Sequence, residues 1–378
     1  MSLIVDEHRE YLSDAVRVAA FRDAIREVVA PGSVVLDLAS GSGVLGLLAC
    51  EAGASRVYAV EVTGMVEIAR AAAAVNGHGE RLIGIHGLST EISLPEPVDA
   101  IVCDQIGRFG FEAGILEHGS DARRRFLKAG GTMMPARIDL FVAPVEAPEA
   151  FERVQFWNSR PAGLDFAPAR RWAVNTGYPV ALAPHDFLAT PAAAASLDIV
   201  TCGAEPFELQ HRFSVERTGV LHGIGGWFSA QLSGSVTLTN APGAARRINR
   251  RNALLPIDQA VAVRAGDEVD VRIHVIPGAL VVTWTVEVRR AAELLGRFRH
   301  STMNGTLFAR EDLQKMRPTY VPTLTSRGVA RRLVLELCDG RRPLAEVERT
   351  VFLEHPNLFA SAADAQVFVS EVVTGYTR

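Results

Sequence analysis

The sequence predicts an α/β protein in which a Rossmann-like, doubly wound domain precedes an antiparallel β-barrel or sandwich and a small helical C-terminal unit. Three observations predict this class. Strand-like and helix-like segments alternate over residues 33–128, brief and partly alternating strands follow over 138–300, and amphipathic segments occupy 318–378. Strands that alternate with helices form parallel sheets, which bind ligands at the carboxyl ends of their strands.

The first domain, predicted over residues 1–137, begins with one long helix over 8–29 that Pro31 and Gly32 end. The segments that follow are strand 33–38, helix 43–52, strand 56–61, helix 63–76, strands 82–86 and 99–103, and helix 111–128. Gly130, Gly131 and Pro135 then interrupt the pattern and are expected to close the domain.

A glycine-rich turn at residues 39–43 is the strongest local signal. It follows a predicted buried strand and opens a helix, so Gly41 and Gly43 let the backbone approach a ligand beside free N–H groups. Glu61 ends the next strand, where a carboxylate accepts hydrogen bonds from both ribose hydroxyls. The pattern predicts a site for a nucleoside-bearing cofactor.

The second domain, predicted over residues 138–300, consists of short strands, with a hairpin at Pro277 and Gly278. Its strands are expected near 141–145, 207–213, 234–238, 268–276 and 280–288. An insert at about 150–190, rich in aromatic residues, proline and arginine, is either a projecting arm or an irregular surface loop. The third unit, 318–378, is expected to contain helices over 329–337, from Pro343 to about 352, and over 362–373.

Bulk composition indicates an ordinary globular protein. The net charge of -4 gives no reason to expect nucleic acid or an anionic membrane as a partner. The four cysteines lack metal-ligand spacing, and neither a signal peptide nor a membrane-spanning run is apparent, so we expect a cytoplasmic protein without a metal site.

Several further segments extend the pattern beyond the glycine turn. They are His8–Ile25, Val35–Gly43, Ala52–Ala54, Val57–Glu61, Leu127–Gly131, Met134-Pro135 and Leu140–Glu146. In this order they resemble class I protein arginine methyltransferases, strongly over residues 8–146 and more weakly over 147–295. There, Gly163–Pro168 is similar to the family's dimerisation arm. The resemblance implies S-adenosylmethionine as cofactor and a homodimer.

The resemblance also implies roles for individual residues. It pairs Arg17 with the cofactor's carboxylate and Glu61 with its ribose, and it puts Ser89 and Thr90 near the adenine. Asp37, Ala39, Gly41 and Gly43 fall in the S-adenosylmethionine loop, where the backbone of the two glycines is expected beneath the methionine portion. Such a site mainly positions a methyl group for in-line attack.

The acceptor side departs from the family. Two carboxylates normally grip the planar guanidinium. Asp104 matches the first, one methylene shorter, whereas Ala113 stands at the second and Glu112 is its neighbour. Arg108 replaces an aromatic residue. We therefore consider Asp104 as the group that orients or deprotonates the acceptor, and Glu112 as a candidate partner.

The family's Thr-His-Trp element is expected at Ile248-Asn249-Arg250, followed by Arg251, and neither histidine nor tryptophan stands there. Arg108, Arg250 and Arg251 either line an acceptor cavity that favours an anionic substrate or are solvated surface residues. His86 and His118 are weaker candidates for a general base.

Residues 333–344 resemble the helical part of PqqD-like peptide-binding domains. The favoured hypothesis is an S-adenosylmethionine-dependent methyltransferase with an altered acceptor site, acting on nitrogen or oxygen of a small molecule or peptide. One alternative is a non-catalytic peptide- or partner-binding protein on the same scaffold. Another is a nicotinamide-dependent dehydrogenase, which is less consistent with the N-terminal segment His8–Ile25, because this segment resembles the helix that covers the cofactor in the methyltransferase family (the covering helix).

Overall fold

The computed structural model describes residues 4–377, which divide into two compact units. The first ends at Leu307 and the second begins at Phe308. The helices of the first unit are α1 (Ile4–Ser13), α2 (Ala15–Val28), α3 (Val44–Glu51), α4 (Met65–Val75), α5 (Ile115–Phe126), α6 (Pro148–Gln155), α7 (Arg170–Ala173) and α8 (Thr302–Gly305). None of the helices over 4–377 is both long and apolar enough to cross a membrane.

The strands of the first unit fall into one parallel and two antiparallel sheets. They are β1 (Val34–Leu38), β2 (Arg56–Glu61), β3 (Leu82–His86), β4 (Val98–Cys103), β5 (Leu127–Met134), β6 (Arg137–Val145), β7 (Tyr178–Val180), β8 (Ala192–Asp198), β9 (Phe207–Ser214), β10 (Gly219–Gln231), β11 (Thr237–Thr239), β12 (Asn252–Val263), β13 (Glu268–Ile276), β14 (Val281–Arg290) and β15 (Glu293–Ser301).

The parallel sheet has the order β3-β2-β1-β4-β5, and its inner strands β2, β1 and β4 are almost wholly buried, as is usual for a parallel sheet. Every residue of β1 is buried. Its neighbours are β2 on one side and β4 on the other, so the strand order reverses at β1. The crevice above this reversal is where an open α/β sheet binds its ligand, and the predicted Rossmann-like fold is confirmed.

Two details of this domain correct the sequence prediction. The single helix predicted over 8–29 is two helices, because Asp14 leaves helical geometry (ψ 88°) and its carboxylate accepts the Arg17 N–H at 3.0 Å as the N-cap of α2. The glycines expected to end the domain instead lie inside β5, which pairs with β4 in parallel. Neighbouring strands outweigh a local glycine signal here.

The remaining strands are antiparallel, as predicted, in one sheet of order β7-β12-β10-β6-β8, with β11 on β10, and another of order β15-β14-β13-β9. The predicted hairpin joins β13 to β14 at Pro277–Ala279. The longest strand, β10, was not predicted because it contains Gly223, Gly225 and Gly226. A Cβ at Gly226 would lie 2.7 Å from the Phe109 ring, so glycine there lets the loop after β4 pack on the antiparallel sheet.

The second unit contains α9 (Arg310–Lys315), α10 (Ser326–Leu337), α11 (Leu344–Glu354) and α12 (Ala362–Tyr376). The last three are the predicted helices, and they share a core that includes Val334, Val351 and Phe368. Over residues 308–377 the structure has no strand of the kind with which PqqD-like domains capture a peptide. That resemblance therefore stays a prediction.

Candidate active site

A cavity of about 780 Å³ opens at the carboxyl ends of β1 and β4. Its wall comes from α1, the start of α2, the turn after β1, the loop after β4, and residues 249–251 of the antiparallel region. The predicted cofactor turn and the predicted acceptor residues thus share one cavity, although they are far apart in the sequence.

The turn after β1 forms the floor of this cavity. Ala39, Gly41 and Gly43 all have positive φ values (56°, 53° and 76°), which turn successive backbone groups toward one side. A side chain at Gly41 would overlap the His8 ring, and a Cβ at Gly43 would lie 2.7 Å from that of Ala69. Both glycines are therefore required by close approach to His8 and Ala69, while the predicted approach of their backbone to a ligand stays a prediction.

Glu61 lies at the end of β2 and organises this turn. Its Oε2 accepts the Gly41 N–H at 2.9 Å and its Oε1 accepts the Thr63 N–H at 2.8 Å. Glu61 and Ser89 line a second, smaller cavity at the ends of β2 and β3. Thr90 is exposed and lines neither this cavity nor the larger one. The structure thus puts Ser89, and not Thr90, beside Glu61.

Asp37 lies beneath the turn and lines neither cavity. It is 1% exposed, its Oδ2 accepts the Gly46 N–H at 2.8 Å, and its Oδ1 has no hydrogen-bond partner. Burial raises the pKa of this carboxyl to about 7, and the Gly46 N–H opposes the rise. Asp37 therefore holds the first turn of α3 against β1.

Asp104, at the end of β4, is held between two arginines. Its Oδ2 accepts the Arg17 Nε–H at 2.6 Å, and its two oxygens accept the Nη1 and Nη2 groups of Arg250 at 3.3 and 3.1 Å. The three side chains are 11%, 7% and 14% exposed, respectively. This arrangement, called here the Arg-Asp-Arg triad, carries one more positive than negative charge.

Electrostatics fix the charge state of the triad. Burial raises the pKa of Asp104, but the Arg250 and Arg17 guanidiniums outweigh it and hold that pKa below its ordinary value. Burial likewise lowers the pKa of Arg250, and Asp104 more than restores it. Asp104 is therefore ionised at neutral pH, with its oxygens occupied, and is a weak base.

Glu112 reaches the cavity wall, but its carboxylate folds back onto its own loop. Its Oε1 accepts the Arg108 N–H, and both oxygens lie 3.0 Å from the Phe109 nitrogen. These contacts make Glu112 a cap for the loop after β4. The placement supports a structural role, and the Glu112 carboxylate also helps to raise the pKa of Arg250.

Arg108 and Arg251 also line the cavity, and both are exposed at its mouth. Arg250 lies deeper, where Nη1 also donates to the Gly107 carbonyl at 3.2 Å. The structure therefore brings together all three arginines that the sequence raised. Arg250 is not a solvated surface residue.

Some wall residues were missed because they act through tertiary contacts. His8 lies against Gly41, and the Tyr11 carbonyl accepts Nη1 of Arg17 at 3.3 Å. The Asp14 Oδ2 accepts the Asn249 N–H at 2.6 Å, which joins the covering helices to the segment that carries Arg250. Only the position of these residues within the covering-helix match signalled them in the sequence.

The polar groups of the two cavities together fit S-adenosylmethionine. Arg17 offers a cation for a carboxylate, Glu61 offers an acceptor for hydroxyl groups, and the positive-φ turn leaves room for a ligand against the backbone. Ser40, within that turn, has a buried hydroxyl oxygen without a hydrogen-bond partner. An orphaned buried hydroxyl beside the cavity is consistent with a polar ligand there.

Comparison with known families supports the same fold and cofactor. Residues 136–282 match the model of the arginine methyltransferase oligomerization subdomain, and residues 22–134 match that of the ribosomal protein L11 methyltransferase. Protein arginine N-methyltransferase 6 of Xenopus laevis is 31% identical over 287 residues, which cover 72% of this chain and 84% of that protein. Arginine N(omega)-methyltransferase of Streptomyces achromogenes subsp. streptozoticus is 29% identical over 273 residues (70% of this chain and 75% of that protein).

Solved structures show the same architecture. Arabidopsis thaliana protein arginine methyltransferase 10 matches with a TM-score of 0.67 at 24% identity, covering 78% of this chain and 97% of that one. The Trypanosoma brucei PRMT1 enzyme-prozyme heterotetrameric complex with AdoHcy matches with a TM-score of 0.70 at 23% identity, covering 78% and 96%. At these identities the likeness establishes the fold.

Proposed function

We propose which class of molecule this protein methylates. The chain belongs to the protein arginine methyltransferase family and is an S-adenosylmethionine-dependent methyltransferase. The methyl group goes to a nitrogen or oxygen of a small molecule or short peptide that also carries a carboxylate or phosphate. The observation that carries this proposal is the Arg-Asp-Arg triad.

The first support is that both oxygens of Asp104 already accept hydrogen bonds from arginines of this chain, Oδ2 from two of them. Asp104 is the one acidic residue at a position that grips substrate in the family pattern, and Arg250 already occupies it through both terminal nitrogens. A second guanidinium about 4 Å from Arg250 would be repelled by on the order of 4 kcal/mol at an effective dielectric near 20. Ala113 supplies no charge, and the Glu112 carboxylate, although it lines the cavity, is engaged by backbone N–H groups of its own loop.

The second support is that the same repulsion becomes attraction for an anion. Arg108 and Arg251 are exposed where they line the cavity, and Arg250 is largely buried, so three arginines are available to an anion although Glu10, Asp14 and Glu112 line the same cavity. Guanidiniums bind carboxylate and phosphate through paired N–H donors. An acceptor that enters with its anionic group toward these arginines would have its nucleophile oriented without a second carboxylate.

On the cofactor side, we assign Arg17 to the carboxylate and Glu61 to the ribose, with the backbone of Ala39, Gly41 and Gly43 beneath the methionine portion. When bound, S-adenosylmethionine supplies the electrophilic methyl group. Asp104 holds Arg250 toward the cavity and orients the acceptor through it. Because its oxygens are occupied and its pKa is lowered, Asp104 is not assigned as the general base.

We also propose a homodimer formed through the predicted arm. Phe156, Leu164 and Phe166 are 50%, 61% and 43% exposed there, and the matching family model is an oligomerization subdomain. Exposed aromatic and aliphatic side chains grouped on one segment are typical of an interaction surface. Light scattering of the wild-type protein and of Leu164→Asp tests the dimer: the variant is expected to be monomeric, and a monomeric wild type would contradict it.

The acceptor is tested with isotope-labelled S-adenosylmethionine and three pools: anionic metabolites, acidic short peptides, and arginine-rich peptides without acidic residues. We expect labelled product in one of the first two pools. Arg250→Met should lower kcat/KM for that acceptor by at least tenfold, whereas Arg246→Met, which changes an exposed arginine outside the cavity wall, should leave it unchanged.

Transfer to the arginine-rich pool alone would overturn the proposed acceptor and favour guanidinium methylation, the activity named for the curated relatives. Product in any pool would exclude the non-catalytic alternative, which no observation favours.

A further inference from the structure

The smaller cavity is lined by a polar side chain that the proposed function does not use. His118, on the first turn of α5, lines this cavity together with Glu61, Ser89 and Gln105. Its Nδ1 is buried and has no hydrogen-bond partner among the described residues. A buried imidazole nitrogen without a partner is costly unless a ligand or water satisfies it.

The position of His118 relative to Glu61 identifies what such a ligand would present. If Glu61 holds the ribose, as proposed above, the base attached to that ribose extends into the cavity that Glu61 shares with Ser89 and His118. Thr90, which the sequence put near the adenine, is exposed and outside this cavity. The described wall of the cavity thus has His118, and not Thr90, available to contact a base.

We propose that His118 recognises the adenine base of the cofactor. Its Nδ1 lone pair accepts a hydrogen bond from the exocyclic amino group of adenine. The inference rests on the proposed cofactor roles of this cavity. A neutral imidazole carries one acceptor nitrogen and one donor nitrogen, and the 6-amino group of adenine is a donor. His118 is then a specificity-determining residue for the nucleoside and takes no part in methyl transfer.

Glu117 provides a matched control. Both of its carboxylate oxygens are likewise buried without a partner, yet it does not line the cavity. A Cβ at Gly114 would lie 2.9 Å from His118 Cδ2 and 3.9 Å from Glu117 Oε2, so the two side chains share one environment. A purely structural role in this turn would make both residues matter alike. Base recognition requires only His118.

The experiment measures calorimetric affinity for two probes: S-adenosylhomocysteine and its analogue with hydrogen in place of the 6-amino group. The wild type should prefer the adenine probe by about tenfold, the effect of one hydrogen bond to a buried group. His118→Ala should reduce this preference to within about threefold, and His118→Gln, which retains an acceptor, should restore most of it. Glu117→Gln and Thr90→Ala should keep the wild-type ratio.

Each contrary outcome has a distinct meaning. Equal binding of both probes by the wild type, or an unchanged ratio in His118→Ala, would overturn the role of His118 while the cofactor site stands. A lost preference in Thr90→Ala would return base recognition to Thr90. Failure of the wild type to bind either probe would overturn the proposed cofactor residues as well. Because the readout is a ratio of two affinities, a uniform loss of stability does not mimic the expected result.

Discussion

Replacing Asp104 with asparagine tests the Arg-Asp-Arg triad directly. The change is nearly isosteric but removes the negative charge that Arg17 and Arg250 approach to 2.6 and 3.1 Å. Removing one partner from a buried ion pair costs about 3–5 kcal/mol, because the remaining charge stays desolvated. The side chains are at most 14% exposed, so solvent screens them little, and we expect a loss of about 3–5 kcal/mol in the free energy of unfolding.

Urea unfolding followed by tryptophan fluorescence is the appropriate assay, since Trp157, Trp172, Trp227 and Trp284 all lie in the first unit. Asp121→Asn is the matched control. Asp121 also contacts two arginines, both at 3.0 Å, but these partners are 72% and 30% exposed. Asp121→Asn should lower the free energy of unfolding by less than about 1 kcal/mol.

The effect of Asp104→Asn has a defined pH dependence. Because the folded-state pKa of Asp104 lies below its ordinary value of 3.8, the stabilisation is complete above pH 3.8 and is lost as the pH falls through the folded pKa. The difference in the free energy of unfolding between wild type and variant should therefore be largest at neutral pH and should disappear in acid. A neutral-pH loss within about 1 kcal/mol of the Asp121→Asn value would refute the charge argument.

Three further changes test the floor of the cavity and its covering helices. Glu61→Gln should weaken S-adenosylhomocysteine binding at least tenfold by calorimetry, whereas Glu67→Gln, at a 68% exposed side chain, should not; equal affinities would remove the role of Glu61. Asp37→Asn should abolish a pH-dependent loss of stability: the folded pKa of about 7 exceeds 3.8, so the wild type loses up to about 4 kcal/mol as the pH rises through 7. A flat difference between the two proteins from pH 4 to 8 in urea unfolding would contradict this. Asp14→Ala should lower the free energy of unfolding by about 1–2 kcal/mol, because the N-cap of α2 is lost. It should also lower acceptor turnover, because Asp14 no longer holds Asn249 beside Arg250. An unchanged free energy of unfolding would contradict the capping role.

Much of the parallel domain could be predicted because its signals are local. The strand ending at Leu38, the positive-φ glycines of the turn and the carboxylate at Glu61 are each set by a few adjacent residues. The helix break at Asp14 also has a local signal. Aspartate is a good N-cap residue, and the Asp14 carboxylate accepts the N–H of Arg17, three residues later. The apolar periodicity that continues on both sides of it masked the break.

Predictions failed where distant chain decides local conformation. Gly130 and Gly131 lie in β5 within an irregularity between Leu127 and Thr132, which pair with β4. The glycines of β10 lie in a strand because β6 and β12 flank it. Gly226 is there because Phe109, from the loop after β4, packs against it. No window of sequence around these glycines contains the residues that constrain them.

The charge of the acceptor site likewise depends on residues that are distant in the sequence. Asp104 is 87 residues from Arg17 and 146 residues from Arg250, so the sequence offered the arginines and the carboxylate without their pairing. The pairing changes the meaning of each residue. An isolated Asp104 would be available to a substrate guanidinium or a proton, whereas the same carboxylate between Arg17 and Arg250 is occupied by these two guanidiniums and presents Arg250 to the cavity instead. Arg17 depends on the same long-range contact, whereas the other cofactor residues are set by local motifs. Substitutions at Arg250 are therefore expected to alter the acceptor more than the cofactor site.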